Sequence, residues 1–338
     1  MNVFIINELE LGSISDLIEI IAVKHETLLS PIDIHKQLKD ISIFAFKLPE
    51  RLIKFIMNYK LDENDAGVCI IKGFTVDNNK IGPTPNHWRD EKADERTMKY
   101  SLFLQLCSSI LGDTVSWSTQ QAGNIVHNIV PIVGDEYKQV GSGTLVELCW
   151  HTEEAFHPLR CDYLGLFCLR NSECAGTTFA SINSCHIPDH EKQQLFNSQY
   201  TIYPDNAHIT EAQAGGFRNK QMDAMLNQPE KMPVLFGDYN DPYLCIDPYY
   251  MDQNNDDPLA EIALKNIISE INRNIHSVVL ESGDLLFIDN YRAVHGRKVF
   301  KADYSGVGRW LKRVNIVRDL RKSRAHREGF ASRMIKIS

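Results

Sequence analysis

Two histidines and a glutamate stand where they could share one metal ion. The first pair lies in Leu148-Cys149-Trp150-His151-Thr152-Glu153. On extended chain, residues i and i+2 project to the same face, so His151 and Glu153 can reach a single ion together. H-x-E alone is a weak signal. A second imidazole from far downstream would complete two histidines and one carboxylate, the facial set that suits Fe(II) and leaves coordination positions open. His295 is the best candidate, because it comes after the apolar run Leu285–Ile288 in Gly283-Asp284-Leu285-Leu286-Phe287-Ile288-Asp289-Asn290-Tyr291-Arg292-Ala293-Val294-His295-Gly296-Arg297. His157 could replace either histidine, or cap a turn.

The residues downstream of His295 strengthen the reading. Arg309 and Arg313 come 14 and 18 residues later, in Gly308-Arg309-Trp310-Leu311-Lys312-Arg313. In a strand the two arginines share a face, and Trp310 and Lys312 take the other. Two same-face guanidinium groups beside a metal offer two bidentate carboxylate sites. A dicarboxylate co-substrate and an amino-acid substrate would need both. The plainer reading is a solvated basic edge strand, which is how Arg318, Arg321 and Arg324 read.

The elements that must position these residues change along the chain. The N-terminal region patterns as helix: Ser15-Asp16 opens an apolar-periodic stretch, Leu48–Met57 gives a second, and a third runs from about Glu91 to Leu111, stopping at Gly112-Asp113. From about Val115 the texture is short β-like runs: Val146–Trp150, Tyr163–Leu169, Thr177–Ile182, Val234–Phe236, Tyr243–Ile246, Leu285–Ile288 and Trp310–Val317. One amphipathic helix, Leu259–Ile275, interrupts them. This predicts a mainly β fold with helical additions, a β-sandwich or jelly roll, and not a doubly wound parallel sheet. The polar segment between Pro204 and Pro229 reads either as a long surface loop or as a mobile lid over a site.

Composition sets outer limits. The 338 residues are 43% hydrophobic and 24% charged, an ordinary globular balance. A formal net charge of −8 argues against a nucleic-acid partner and is compatible with a cationic small substrate. No apolar run approaches the ~18 residues of a membrane span, and Glu8 and Glu10 do not suit a secretory leader. The eight cysteines are scattered without a C-x-x-C pair, so they read as reduced structural thiols of a cytoplasmic protein.

Taken together, these segments resemble the clavaminate synthase-like family of Fe(II)/2-oxoglutarate oxygenases, and within it the branch of free L-arginine and L-lysine hydroxylases that includes the viomycin-pathway arginine hydroxylase. The matching motifs are Trp117-Ser118-Thr119-Gln120-Gln121, Trp150-His151-Thr152-Glu153, Asp162-Tyr163-Leu164-Gly165-Leu166 with Leu169-Arg170-Asn171, Thr177-Thr178, Ile288 to Arg297, and Arg309 to Arg313, with Pro85-Asn86-His87-Trp88-Arg89 near the helical region. The resemblance spans roughly residues 45–325. It implies one oxygenase domain over 1–338. Within it, residues 1–112 are helix-rich, a double-stranded β-helix (jelly-roll) core occupies about 113–320, and a lid lies at about 204–229.

The resemblance also implies roles. His151, Glu153 and His295 would bind Fe(II). Arg309, assisted by Thr178, would hold the distal carboxylate of 2-oxoglutarate. Arg313 would take the substrate α-carboxylate, and Gln120 with Glu153 the α-amine. O2 is the oxidant, and one oxygen atom enters an unactivated side-chain carbon (C3 or C4) while succinate and CO2 leave. Two departures from the arginine hydroxylase matter. Its serine-rich stretch reads here Val140-Gly141-Ser142-Gly143-Thr144, so the carboxylate contact falls to Ser142 or a backbone N–H. Its D-x-D guanidinium grip reads Asp247-Pro248-Tyr249. One carboxylate beside the neutral Tyr249 suits a compact ammonium better than a planar guanidinium, which favours L-lysine over L-arginine as substrate. Two other classes stay open: a cupin-like metal-dependent isomerase or hydrolase, and a non-catalytic β-sandwich binding module.

Overall fold

In the strand Leu285–Asp289, successive side chains must point to opposite faces, and both faces are buried: Leu286 and Ile288 on one side, Leu285 and Phe287 on the other. That division organises the molecule. The computed structural model describes residues 1–24, 31–63, 66–90, 96–209 and 220–337.

Leu285–Asp289 is a central strand of an eight-stranded sheet. Its strands run in the order Asn2–Ile5, Val68–Lys72, Leu285–Asp289, Tyr163–Arg170, Trp310–Val317, Asp113–Trp117 and Met334–Ile335, and His127–Ile129 also pairs with Trp310–Val317. A four-stranded sheet in the order His276–Val279, Gly176–Ser181, Ala293–Arg297 and Leu148–His151 completes the jelly roll. The interior carries Ile70, Leu164, Leu166, Phe179, Leu286 and Leu311.

On the far face of the larger sheet, Phe167, Leu285, Phe287 and Val314 share a core with helices Glu8–Lys24, Glu50–Leu61 and Met98–Leu111. The last is buried almost all round. It stops at Gly112, where a Cβ would collide with the Val317 carbonyl, so close backbone approach dictates the glycine. The expected beginning of this helix, residues 91–95, lies outside the described residues.

Helix Pro258–Arg273 supports the outer side of the smaller sheet through Ala260, Ala263, Leu264, Ile267 and Ile271. Its start is set by Asp257, whose side chain accepts the Leu259 N–H, and by Pro258 in the first turn. Every strand expected from the sequence is present within two residues of its predicted bounds. The strands absent from that expectation include Asn2–Ile5, Val68–Lys72, Asp113–Trp117, His127–Ile129, His276–Val279 and Ala293–Arg297. All eight cysteines are free thiols, and among the described residues no helix is long and apolar enough to cross a membrane.

Candidate active site

His151 is the last residue of its strand, and antiparallel register places it opposite His295 on the neighbouring strand. Their rings lie 4.6 Å apart. Glu153 comes just past the strand, where the chain turns at Glu154 (φ 54°). Two clamps fix that exit. Asn290 accepts the Glu153 N–H (2.8 Å) and donates to its carbonyl (3.0 Å) and to that of Cys161 (2.9 Å). Thr152 pairs with Ile246, donating its N–H to the Ile246 carbonyl and accepting the Ile246 N–H on its hydroxyl.

One Glu153 oxygen, Oε2, lies 3.5 Å from His151 Nε2 and 3.3 Å from His295 Nε2. One donor atom from each residue falls within 4.8 Å of the others. His151 Nδ1 is 2.8 Å from the Cys149 carbonyl, which can only accept, so Nδ1 carries a proton and Nε2 is the nitrogen left for a cation. The buried Nδ1 of His295 has no hydrogen-bond partner among the described residues. Burial pushes His151 down, but Glu153 and Asp247 outweigh it and raise it to about 9, which adds a proton at Nε2. A bound cation would displace that proton, and two imidazoles with a carboxylate converging this closely fit a small divalent cation such as Fe(II). Burial pushes Glu153 up, but Arg313 and the two histidines outweigh it and hold the carboxyl well below its usual range.

The second Glu153 oxygen belongs to Arg313, whose Nη1 donates to Oε1 at 2.5 Å. Nη2 of Arg313 donates to Gln120 Oε1 (2.8 Å) and to His127 Nδ1 (2.9 Å). Burial, reinforced by this guanidinium, lowers His127 to about 3, so it stays neutral. Glu154, next along the chain, faces away, accepting from Asn315 at 2.6 Å. Burial and neighbouring Glu153 keep it well above a normal carboxyl.

Arg309 shares the cavity wall with Leu311 and Arg313, as strand alternation requires. It is 4% exposed, and its guanidinium makes no ion pair among the described residues. Burial lowers it to about 10. Arg297 stands on the same wall, donating to the carbonyls of Gly143 and Val146. Burial, with Arg309 second, lowers it to about 9. A buried cation without a counter-charge is costly, and a carboxylate entering the cavity would relieve it.

The remaining expected residues divide. Gln120, Asp247 and Tyr249 line the cavity with the three candidate ligands. Thr178 does not: Thr177 lines it, and Thr178 lies on the opposite face of its strand beside Gly296, because adjacent strand residues point apart. Ser142 also lies off the inner cavity, in an adjoining hollow with Trp88 and Arg89, and its hydroxyl is bound to Asp135 at 2.6 Å. His157 stacks edge-on against Trp117 at 4.6 Å, outside the ligand set.

Asp205 carries no signal in the sequence, yet it lines this cavity together with Asp247. It begins the polar segment read as loop or lid; residues 210–219 of that segment lie outside the described residues. Burial raises Asp247 to about 6, against the opposing pull of His151.

A family profile, Taurine catabolism dioxygenase TauD, TfdA family, matches residues 118–315. That range holds His151, Glu153, His295, Arg309 and Arg313. The chain belongs to the TauD/TfdA dioxygenase family. It is 39% identical over 299 residues to an L-ornithine/L-arginine 3-hydroxylase of Catenulispora acidiphila, covering 85% of this chain and 87% of the relative. With an L-lysine 4-hydroxylase of Chitinophaga pinensis it shares 31% over 266 residues, covering 76% and 66%. The non-heme iron oxygenase OrfP, solved with Fe, succinate and (3S)-hydroxy-L-Arg, superposes with a TM-score of 0.91 at 35% identity, over 99% of this chain and 100% of that one. OrfP is also solved with Fe and alpha-ketoglutaric acid. This TauD/TfdA dioxygenase therefore uses iron, 2-oxoglutarate and O2, as the sequence leads one to expect. The isomerase, hydrolase and binding-module alternatives fall away.

Proposed function

We propose that this dioxygenase hydroxylates an unactivated side-chain carbon of a free basic L-amino acid, with L-arginine preferred over L-lysine and C3 as the carbon attacked. The observation that carries the substrate reading is the pair of carboxylates, Asp205 and Asp247, in the cavity that also holds His151, Glu153 and His295. The expected preference for lysine rests on a single carboxylate beside Tyr249; with Asp205 added, the far end of the cavity suits a planar guanidinium. The ornithine/arginine relative, more similar than the lysine relative, points the same way.

In this reading His151, Glu153 and His295 hold Fe(II), which with 2-oxoglutarate and O2 supplies the oxidising power that places one oxygen in a C–H bond, releasing succinate and CO2. Arg309 binds the distal carboxylate of 2-oxoglutarate, and Thr177 takes the supporting place expected of Thr178. Arg313 receives the substrate α-carboxylate, and Gln120 with Glu153 the α-amine. Asp205 and Asp247 receive the side-chain cation, with Tyr249 at the mouth. A charged clamp at each end fixes which carbon lies over the metal, and that positioning is the protein's main contribution to rate and selectivity. The free thiols and reading of a soluble amino-acid pool suit a cytoplasmic enzyme.

Incubation of the iron-loaded protein with 2-oxoglutarate, O2 and either L-arginine, L-ornithine or L-lysine tests this, with products followed by mass spectrometry. Arginine should gain one oxygen atom and show the highest kcat/KM. Lysine turnover tenfold more efficient than arginine turnover would overturn the substrate assignment.

A further inference from the structure

His208 has no assigned task, yet it is fully buried while its neighbours Asn206 and Ala207 reach the surface. Its imidazole stands edge-on between Phe156 (5.0 Å) and Trp117 (5.7 Å), and both ring nitrogens are engaged. Nδ1 lies 2.6 Å from Thr119 Oγ1, and Nε2 lies 2.9 Å from Gln120 Nε2.

Donor chemistry fixes the direction of every bond in this chain. Arg313 can only donate, so the Gln120 atom facing it is the carbonyl oxygen. The Gln120 NH2 then faces His208 and donates to Nε2, which leaves the proton of His208 on Nδ1, donated to Thr119. From the other side, Asp205 Oδ1 accepts the backbone N–H groups of Ala207 (2.9 Å) and His208 (3.1 Å). One short turn thus carries Asp205 into the cavity and plugs His208 onto the amide that aligns Arg313.

We propose that His208 is a positioning residue that holds the two substrate-reading ends of the cavity in register, Gln120–Arg313 at the α-amino-acid end and Asp205 at the cation end. This role rests on basic amino acids being the substrate and adds to that assignment. Without His208 the buried Gln120 NH2 loses its acceptor and the side chain is free to shift away from Arg313, and the turn bearing Asp205 loses its anchor. A substrate held in the wrong register puts a different carbon, or none, over the metal, so co-substrate is consumed without matched product.

The test compares wild type with His208→Phe, which fills the aromatic slot but makes neither hydrogen bond, and His208→Gln, which retains an acceptor for Gln120. Two quantities are read: the anaerobic calorimetric Kd for L-arginine, and the ratio of succinate to hydroxyarginine at saturating arginine. His208→Phe should raise the Kd about tenfold or more, lift the succinate-to-product ratio well above the wild-type value, and leave the KM for 2-oxoglutarate within about twofold. His208→Gln should recover most of both losses. Wild-type Kd and ratio in His208→Phe would overturn the proposal. So would equal damage to arginine and 2-oxoglutarate binding that His208→Gln fails to rescue, since that marks a purely structural role. A wild type that binds and hydroxylates no basic amino acid would instead overturn the substrate reading.

Discussion

Arg313 Nη1 lies 2.5 Å from Glu153 Oε1, while the other oxygen of the same carboxylate faces both histidines. In the proposed reading, metal binding and substrate binding therefore meet on one side chain. A guanidinium that neutralises half of Glu153 limits the negative charge offered to a metal and is itself held by Gln120 and His127.

Arg313→Lys keeps the charge but cannot bridge Glu153, Gln120 and His127 at once. We expect arginine affinity to fall by about thirtyfold or more, with 2-oxoglutarate affinity nearly unchanged. Steady-state kinetics varying each co-substrate in turn will show whether the loss is confined to the amino acid.

Arg309→Ala should do the reverse. Its buried guanidinium makes no ion pair among the described residues, so the KM for 2-oxoglutarate should rise by at least about thirtyfold while arginine affinity holds. An unchanged 2-oxoglutarate KM would place that carboxylate elsewhere, with Arg297 the alternative cation on the same wall.

Asn290 is fully buried and ties both backbone groups of Glu153 to Cys161. Asn290→Ala leaves those groups unpaired, which should cost about 2–4 kcal/mol of stability and weaken iron binding by about 10–100-fold. Thermal denaturation with and without iron separates the two effects.

Arginine binding should weaken as pH falls through about 6, because burial raises the Asp247 carboxyl to that value and its neutral form cannot pair with a cation. The sign is that of a group whose ionised form binds: affinity is full above about 6 and drops by at most about tenfold per pH unit below it. Asp247→Asn should bind weakly throughout and lose this step. Calorimetric titrations of the iron-loaded protein from about pH 5 to 8 would show it.

Much of the site was legible in the sequence because it obeys the period of two. Arg309 with Arg313 depends only on which residues share an extended face. H-x-E has the same i, i+2 spacing, although Glu153 itself lies just past its strand and is fixed there by Asn290. The same rule explains the miss at Thr177 and Thr178, since the pair is adjacent and a shift of one residue reverses the face. Val68–Lys72 is buried on both sides and reads as a continuous apolar run with no alternation to mark it. Asn290, His127 and His208 act through contacts 137, 186 and 88 residues away along the chain, and no local pattern announces such partners. Asp205 was hidden by its setting: in a polar segment one more acid carries no signal until the fold aims it inward.

The proposed chemistry requires His151, Glu153 and His295 to grip one metal ion. Anaerobic titration of Fe(II) into the purified protein and its His295→Ala variant reads this out. The wild type should take up one equivalent tightly, and His295→Ala should lose that tight site while remaining folded. Equal iron affinity in the two proteins would mean that His295 is not a ligand.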